Sequence, residues 1–324
     1  MRKQKIKYGF INIMTGSDLS VRKLAVMSAK SNNPGSVVWL TGCVHGDEVG
    51  GIAIIQEIFK KLKTQPLIRG SIFAIPIMNP MGFETNSRHI AMSEEDLNRS
   101  FPGQKTGSLA ERVAGKIFSI ITDTKPNLVL DLHNDWINSI PYTLIDPRPA
   151  KQREAYEITK KIAHETGFLV INEQEIDDDA RELKKTLSGS LINQGIPALT
   201  LELGESYIID EKNVIEGVKS IWNILSYLQM VEPDKQTFKH HSTVGWENKI
   251  LNYSHLPTSS TSGIVRFLIK PGEVVKKGQP IARVYNVFGK LEETISANRD
   301  GVLLGNSDSV VALPGVPLMA FGAI

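Results

Sequence analysis

The sequence predicts an α/β fold, with a mixed, largely parallel sheet flanked by helices, followed by a small all-β domain. Three observations predict it. Short apolar runs alternate with amphipathic stretches from residue 37 to about 230, the pattern of strand–helix–strand units. Helical periodicity stops near residue 232. From 262 to 324 the chain breaks into short β-type runs punctuated by Gly and Pro. These shifts divide the chain into 1–232 and 233–324.

Each element follows from local pattern. Residues 8–14 alternate, a Gly-Ser-Asp turn follows at 16–18, and apolar residues resume near 21–28, which reads as a hairpin. VVWLTG at 37–42 is a buried strand ending in Gly42. Residues 49–63 carry apolar positions at helical spacing and end in lysines, as a helix C-terminus prefers. SIFAIPI at 71–77 is a second buried strand, and the polar stretch 78–107 is a long loop of the kind that usually serves function. Ser108 with Glu111 forms a capping box for a helix over 108–122. NLVLDL at 127–132 is a strand followed at once by His133. A helix over 150–166, a strand over 196–203 and a long amphipathic helix over 210–230 complete the series. In the C-terminal region, KPGEVVKKGQPIARV resembles the half-repeat of biotinyl and lipoyl carrier domains. It lacks their Met-Lys-Met-like turn, so Lys290 is not read as a cofactor attachment point.

Composition narrows the function. The chain has 324 residues, 41% hydrophobic and 22% charged, enough for a full-sized core. Lys+Arg 37 against Asp+Glu 35 leaves a formal charge of +2, which makes no electrostatic case for nucleic acid. Cys43 is the only cysteine, which excludes an intramolecular disulfide and a cysteine-rich metal cluster. No run approaches the roughly 18 apolar residues of a membrane span. The N-terminus has no signal-peptide pattern, and a cytoplasmic protein is expected. Homo-oligomerisation is left open.

The strongest chemical signal is T-G-C-V-H-G-D-E at 41–48. His45 and Glu48 follow a predicted buried strand, where open α/β sheets place their sites. The spacing lets both side chains converge across a tight turn that Gly46 permits. A lone His-x-x-Glu is common and more often binds nothing. His133, at a second strand end, supplies the third donor and changes that balance. Two His and one Glu form a catalytic zinc set with one open position. Asp131, two residues before His133, is a candidate orienter of that ring. Cys43 is read as a small buried hydrophobe.

Glu202, in L-T-L-E-L-G-E, lies inside an otherwise apolar strand, where a carboxylate is costly unless paired or functional. It suits a general base, with Glu205 as a loop-borne competitor. Asn98 and Arg99, in D-L-N-R-S-F-P-G, fit a substrate carboxylate, since Arg presents a bidentate fork. Arg88 is a candidate for polarising the scissile carbonyl. Any single one of these arginines is ordinarily a solvated surface charge. Their placement in one long polar loop favours function. His240 and His241 are read as solvated linker residues, and the acidic run at 177–179 as a solvated loop.

Together G-C-V-H-G-D-E, D-L-N-R-S-F-P-G, D-L-H-N and L-E-L-G, in that order, resemble the succinylglutamate desuccinylase/aspartoacylase family, related to the zinc carboxypeptidases. The resemblance spans about residues 37–205. It implies a phosphorylase/hydrolase-like α/β fold with a barrel-sandwich-like C-terminal domain and one zinc per chain. It implies hydrolysis of an N-acyl amino acid or similar small amide. It assigns His45, Glu48 and His133 to zinc, Glu202 to proton transfer, Arg88 to the carbonyl, and Asn98 and Arg99 to the substrate carboxylate. A further substrate arginine has no clean counterpart, with Arg181 the nearest. A C-terminal tyrosine of some members has two candidates, Tyr207 and Tyr285. The alternative reading is a zinc carboxypeptidase acting on peptides or cell-wall fragments. A non-enzymatic binding module would have to keep every catalytic residue type without using it.

Overall fold

The computed structural model describes residues 4–15, 19–173, 182–246 and 248–324. The turn at 16–18, the acidic run at 177–179 and Arg181 lie outside the described residues.

In chain order the elements are β1 (Ile6–Thr15), β2 (Val21–Lys30), β3 (Val37–Gly42), α1 (Gly50–Thr64), β4 (Ser71–Ile75), α2 (Pro80–Glu84), α3 (Leu109–Asp123) and β5 (Leu128–Asp135). There follow β6 (Asn138–Ser139), β7 (Pro141–Ile145), α4 (Arg153–Glu165), β8 (Leu169–Asn172), α5 (Leu187–Asn193), β9 (Ala198–Glu205) and α6 (Glu211–Tyr227). The C-terminal strands are β10 (Ile250–Ser254), β11 (Gly263–Phe267), β12 (Val274–Val275), β13 (Pro280–Tyr285), β14 (Leu291–Ser296), β15 (Gly301–Asn306), β16 (Val311–Ala312) and β17 (Met319–Ala323).

The large sheet has the order β1-β2-β4-β3-β5-β9-β7-β8-β10-β17-β15-β12, with β6 beside β15. Its middle, β4-β3-β5-β9, is parallel. These strands read as near-continuous apolar runs because helices cover both faces. On one face α1, α4 and α6 pack Ile54, Ile58, Phe59, Ile162, Ile221 and Trp222 against Val38, Leu40, Leu130 and Leu201. On the other, α3 and α5 pack Val113, Ile117, Leu187 and Leu191 against Trp39 and Val129. The expected capping box is present, with Ser108 accepting from Glu111 N and the Glu111 carboxylate accepting from Ser108 N.

The expectation of a largely parallel sheet holds only for this middle. Outside it the sheet is mixed: β1/β2, β2/β4, β7/β9, β10/β17, β15/β17 and β12/β15 are antiparallel. The reason lies in the connections. Parallel neighbours need a long crossover, whereas the terminal strands join through short turns or return against the sheet edge. Beyond residue 232 the chain serves two sheets. Strands β10, β17, β15 and β12 extend the large sheet, and β14-β13-β11-β16 form a smaller one. Val265, Ile281, Val284, Leu303 and Phe321 pack between them. Among the described residues no helix is long and apolar enough to cross a membrane.

Candidate metal centre

The site sits at the C-terminal ends of β3, β5 and β9. After β3 the backbone turns through Cys43, whose φ is 52°, and folds back so that Glu48 N donates to the His45 carbonyl at 3.2 Å. Gly46 lies against the first turn of α2. A Cβ built at Gly46 would fall 1.9 Å from the Gly82 carbonyl carbon, so no other residue fits. At the start of α1, Gly50 N donates to Asn134 Oδ1 at 2.9 Å, which ties the turn to the end of β5.

His45, Glu48 and His133 are buried, and one donor atom from each lies within 4.8 Å of the others. Glu48 bridges the two rings: Oε1 is 2.6 Å from His45 Nδ1 and Oε2 is 2.7 Å from His133 Nδ1. The outer nitrogens are held by other carboxylates. Asp131 Oδ2 is 3.0 Å from His133 Nε2. Asp96 Oδ1 is 3.2 Å from His45 Nε2. Asp131 is itself fixed by the Thr41 hydroxyl at 2.7 Å. Such partners set the tautomer, leaving Nδ1 of each ring as the free donor toward a cation. Burial opposes ionisation of Glu48, but His45 and His133 outweigh it and hold its carboxyl well below the ordinary range. Burial likewise opposes charge on His133, while Glu48 and then Asp131 raise it well above an ordinary imidazole. The two Nδ1 atoms and the Glu48 carboxylate converge on one place that a divalent cation can occupy. The donor set of two imidazoles and one carboxylate suits zinc.

The predicted charged residues surround this trio. Arg88 reaches Asp96 Oδ2 through Nη2 at 3.0 Å and Nε at 3.2 Å, and its Nη1 lies 3.6 Å from Glu48 Oε1. Burial works against its charge, but Asp96 and then Glu48 raise its proton affinity. Asp96 has three tasks. It caps the short 3-10 turn Leu97–Arg99 by accepting from Asn98 N at 2.8 Å, it holds His45, and it holds Arg88. Sequence reasoning quoted this aspartate but gave it no role. Its signal was its place immediately before the Leu-Asn-Arg turn. Asn98 is buried and spends Oδ1 on Leu187 N at 2.9 Å, joining the loop to α5. The half-buried Arg99 turns back so that Nη1 donates to the Asn98 carbonyl at 3.0 Å.

Glu202 stands beside His133 in register across β5/β9. Its Oε2 is out of contact with solvent and has no hydrogen-bond partner. Burial raises its proton affinity well above the ordinary value, with Glu48 and Asp135 adding to the shift and His133 opposing it. Glu205 is turned away to Asn213 in the first turn of α6. Cys43 is fully buried, and burial, then Glu48 and Asp47, push its thiol up to about 12.

Several expectations shift. Tyr285 lies in the small sheet under Arg266, 4.9 Å from ring centroid to guanidinium carbon. Tyr207 is exposed beside Asp47, whose carbonyl accepts from its N at 2.8 Å. Sequence reasoning passed over Tyr253, in β10, whose hydroxyl is held well above the ordinary phenol range by burial and then by Asp135, Glu173 and Glu202. Its hydroxyl is 2.9 Å from His255 Nε2. His240 is not solvated: it is buried, 2.6 Å from Ser242 Oγ and 3.4 Å from Glu216 Oε2, while His241 is exposed.

The C-terminal strands pack against the segment that follows β5. β6 pairs with β15, Asn138 Nδ2 donates to Asn306 Oδ1 at 3.0 Å, and Ile137 N donates to Asp308 Oδ1 at 2.7 Å.

Comparison with known proteins gives the same picture. The family model for the succinylglutamate desuccinylase/aspartoacylase catalytic domain matches residues 34–228. A curated relative, N-alpha-acetyl-L-2,4-diaminobutyric acid deacetylase of Halomonas elongata, is 27% identical over 313 residues, 92% of this chain and 86% of its own. Among solved structures, a succinylglutamate desuccinylase/aspartoacylase from Rhodobacter sphaeroides superposes with a TM-score of 0.81 at 19% identity, covering 100% of this chain and 97% of that one. The product-bound ectoine utilization protein EutE (DoeB) from Ruegeria pomeroyi superposes at 0.80, also at 19% identity, covering 100% and 96%. At these identities the structures speak to fold alone.

Proposed function

The chain belongs to the succinylglutamate desuccinylase/aspartoacylase family, and from that membership we propose that it is a zinc-dependent deacylase cleaving the amide bond of a small N-acyl amino acid. One observation carries the reading: three buried donors converge while their outer nitrogens are already held by Asp96 and Asp131. When bound, zinc supplies Lewis-acid chemistry that makes water a nucleophile near neutral pH.

The chain's own residues supply the rest. Glu202, in register with His133, carries a carboxyl of raised proton affinity with one unpartnered oxygen. In this role it takes the proton of the attacking water and delivers it to the leaving nitrogen as the C–N bond breaks. The products are a free carboxylate and an amine. Arg88, kept charged by Asp96, stabilises the oxyanion that develops on the acyl oxygen. Asn98, through its amide nitrogen, and Arg99, on swinging from the Asn98 carbonyl, receive the substrate carboxylate. In this reading the C-terminal strands that pair with β6, just past the end of β5, favour a small amide over a peptide.

The test is a panel of N-acetyl, N-succinyl and N-formyl amino acids with zinc-loaded protein. N-alpha-acetyl-L-2,4-diaminobutyrate belongs on it because the Halomonas elongata relative bears that name. Turnover of at least one member is expected, and cleavage of peptides alone would replace this reading with the carboxypeptidase one. Glu202→Gln should lower kcat by about a hundredfold or more with zinc content unchanged. Near wild-type turnover in that variant would remove Glu202 from the mechanism.

A further inference from the structure

Glu202 has neighbours on both sides. Across β9 in register stand His133 on β5 and Tyr142 on β7. Tyr142 is 2% exposed, and its hydroxyl is directed not at Glu202 but at Asp135, donating to Oδ2 at 2.9 Å. Asp135 lies two residues beyond His133 on the same strand, past a register shift. Tyr142 stands in register with Glu202, so the hydroxyl it gives to Asp135 draws that carboxyl to the side of the sheet on which Glu202 lies. Two carboxyl groups therefore border one space beside the metal donors. One is tied to a tyrosine hydroxyl; the other, Glu202, keeps an oxygen with no partner.

We propose that Tyr142 is a positioning residue that pins Asp135, so that Glu202 and not Asp135 is the carboxyl left free to turn toward the reaction. This rests on the deacylase reading. A half-buried carboxylate deprived of its donor seeks another. Trp136 N–H holds Asp135 as well, so the oxygen that Tyr142 releases turns toward Glu202 across β5/β9 or toward the N–H of the substrate amide. Either choice pulls a group needed for the reaction out of line. Tyr142 and Asp135 make no bond to substrate in this account; they act through Glu202.

The test is a double-mutant cycle with Tyr142→Phe and Asp135→Asn, which keeps the ring and the side-chain volume. Tyr142→Phe is expected to lower kcat roughly tenfold with KM within about twofold and zinc content unchanged. Tyr142→Phe/Asp135→Asn is expected to recover kcat to within about threefold of the wild type, because the uncharged amide no longer competes. A purely structural tyrosine predicts additive or worse losses in the double variant, and that result overturns the proposal. A crystal structure of Tyr142→Phe gives a readout independent of substrate: the Asp135 carboxyl should swing toward Glu202, and an unmoved Asp135 also overturns it. Glu202→Gln assayed in parallel separates the two readings. If that variant stays active, the role of Glu202 fails first.

Discussion

At the scale of single residues, the site is a set of carboxylates whose roles are divided by what each one touches. Glu48 is spent on two imidazoles, Asp131 and Asp96 on their outer nitrogens, Asp135 on Tyr142, and Glu202 keeps a free oxygen. A further acid, Asp146, is buried at the end of β7 among Thr186, Ser188 and the start of α5. Burial pushes its carboxyl up to about 6, against the hydrogen bonds of Ser188 and Thr186 and with a small push from Asp131. It thus binds its proton more tightly folded than unfolded. That contribution to stability is complete below about pH 4 and is lost as pH rises to about 6. Asp146→Asn cannot titrate. Relative to the wild type, its stability in urea unfolding should improve by on the order of 2–3 kcal/mol between pH 4 and pH 6.5 and then level off. A stability difference that stays flat across that range would show that Asp146 is not protonated in the folded protein. Tyr142, Tyr253 and the grip of Asp96 on His45 and Arg88 were not legible in the sequence. No residue near them in the chain marks what their side chains touch, because each partner arrives from another strand or turn.

At the scale of elements, what matters is how a turn is held. The His45–Glu48 turn is pressed between the first turn of α2 and the end of β5. Gly46 meets Gly82 backbone on one side, and Gly50 N meets Asn134 Oδ1 on the other. Gly46→Ala should push the turn off α2, costing on the order of 3 kcal/mol of stability and most of the bound zinc. Gly9→Ala, where an added Cβ meets nothing within 4 Å, is the control and should keep its metal content. Metal analysis and urea midpoints together check this, and full zinc occupancy in Gly46→Ala would refute the packing argument. The strands and long helices around this turn were readable because their periodicity is local: 49–63, 108–122 and 196–203 correspond to α1, α3 and β9 within a few residues. The short elements β7, β8 and α5 were missed. At five, four and seven residues they are too brief for a period to emerge, and they exist through their neighbours.

At the scale of the whole molecule, the C-terminal strands do two things. They extend the large sheet beyond β8, and they bury Tyr142, Leu169, Ile171 and Trp246 against Leu251, Val302, Leu304 and Ala320. A chain ending at residue 249 would expose that apolar cluster and the unpaired edge of β8. It should be found in the insoluble fraction, and a monodisperse 1–249 fragment with native near-ultraviolet circular dichroism would contradict this. The sequence by itself determined the α/β alternation, the switch to β texture near 232, and the four ordered motifs carrying His45, Glu48, Asn98, Arg99, His133 and Glu202. Those are properties of spacing and alternation along the chain. Only the tertiary structure decided that the C-terminal strands would join the large sheet, that His240 would be buried, and that Glu202 would stand between His133 and Tyr142 in register. Such facts depend on which distant strands pair and in what register, and pairing is settled by the burial of apolar faces that no local window contains.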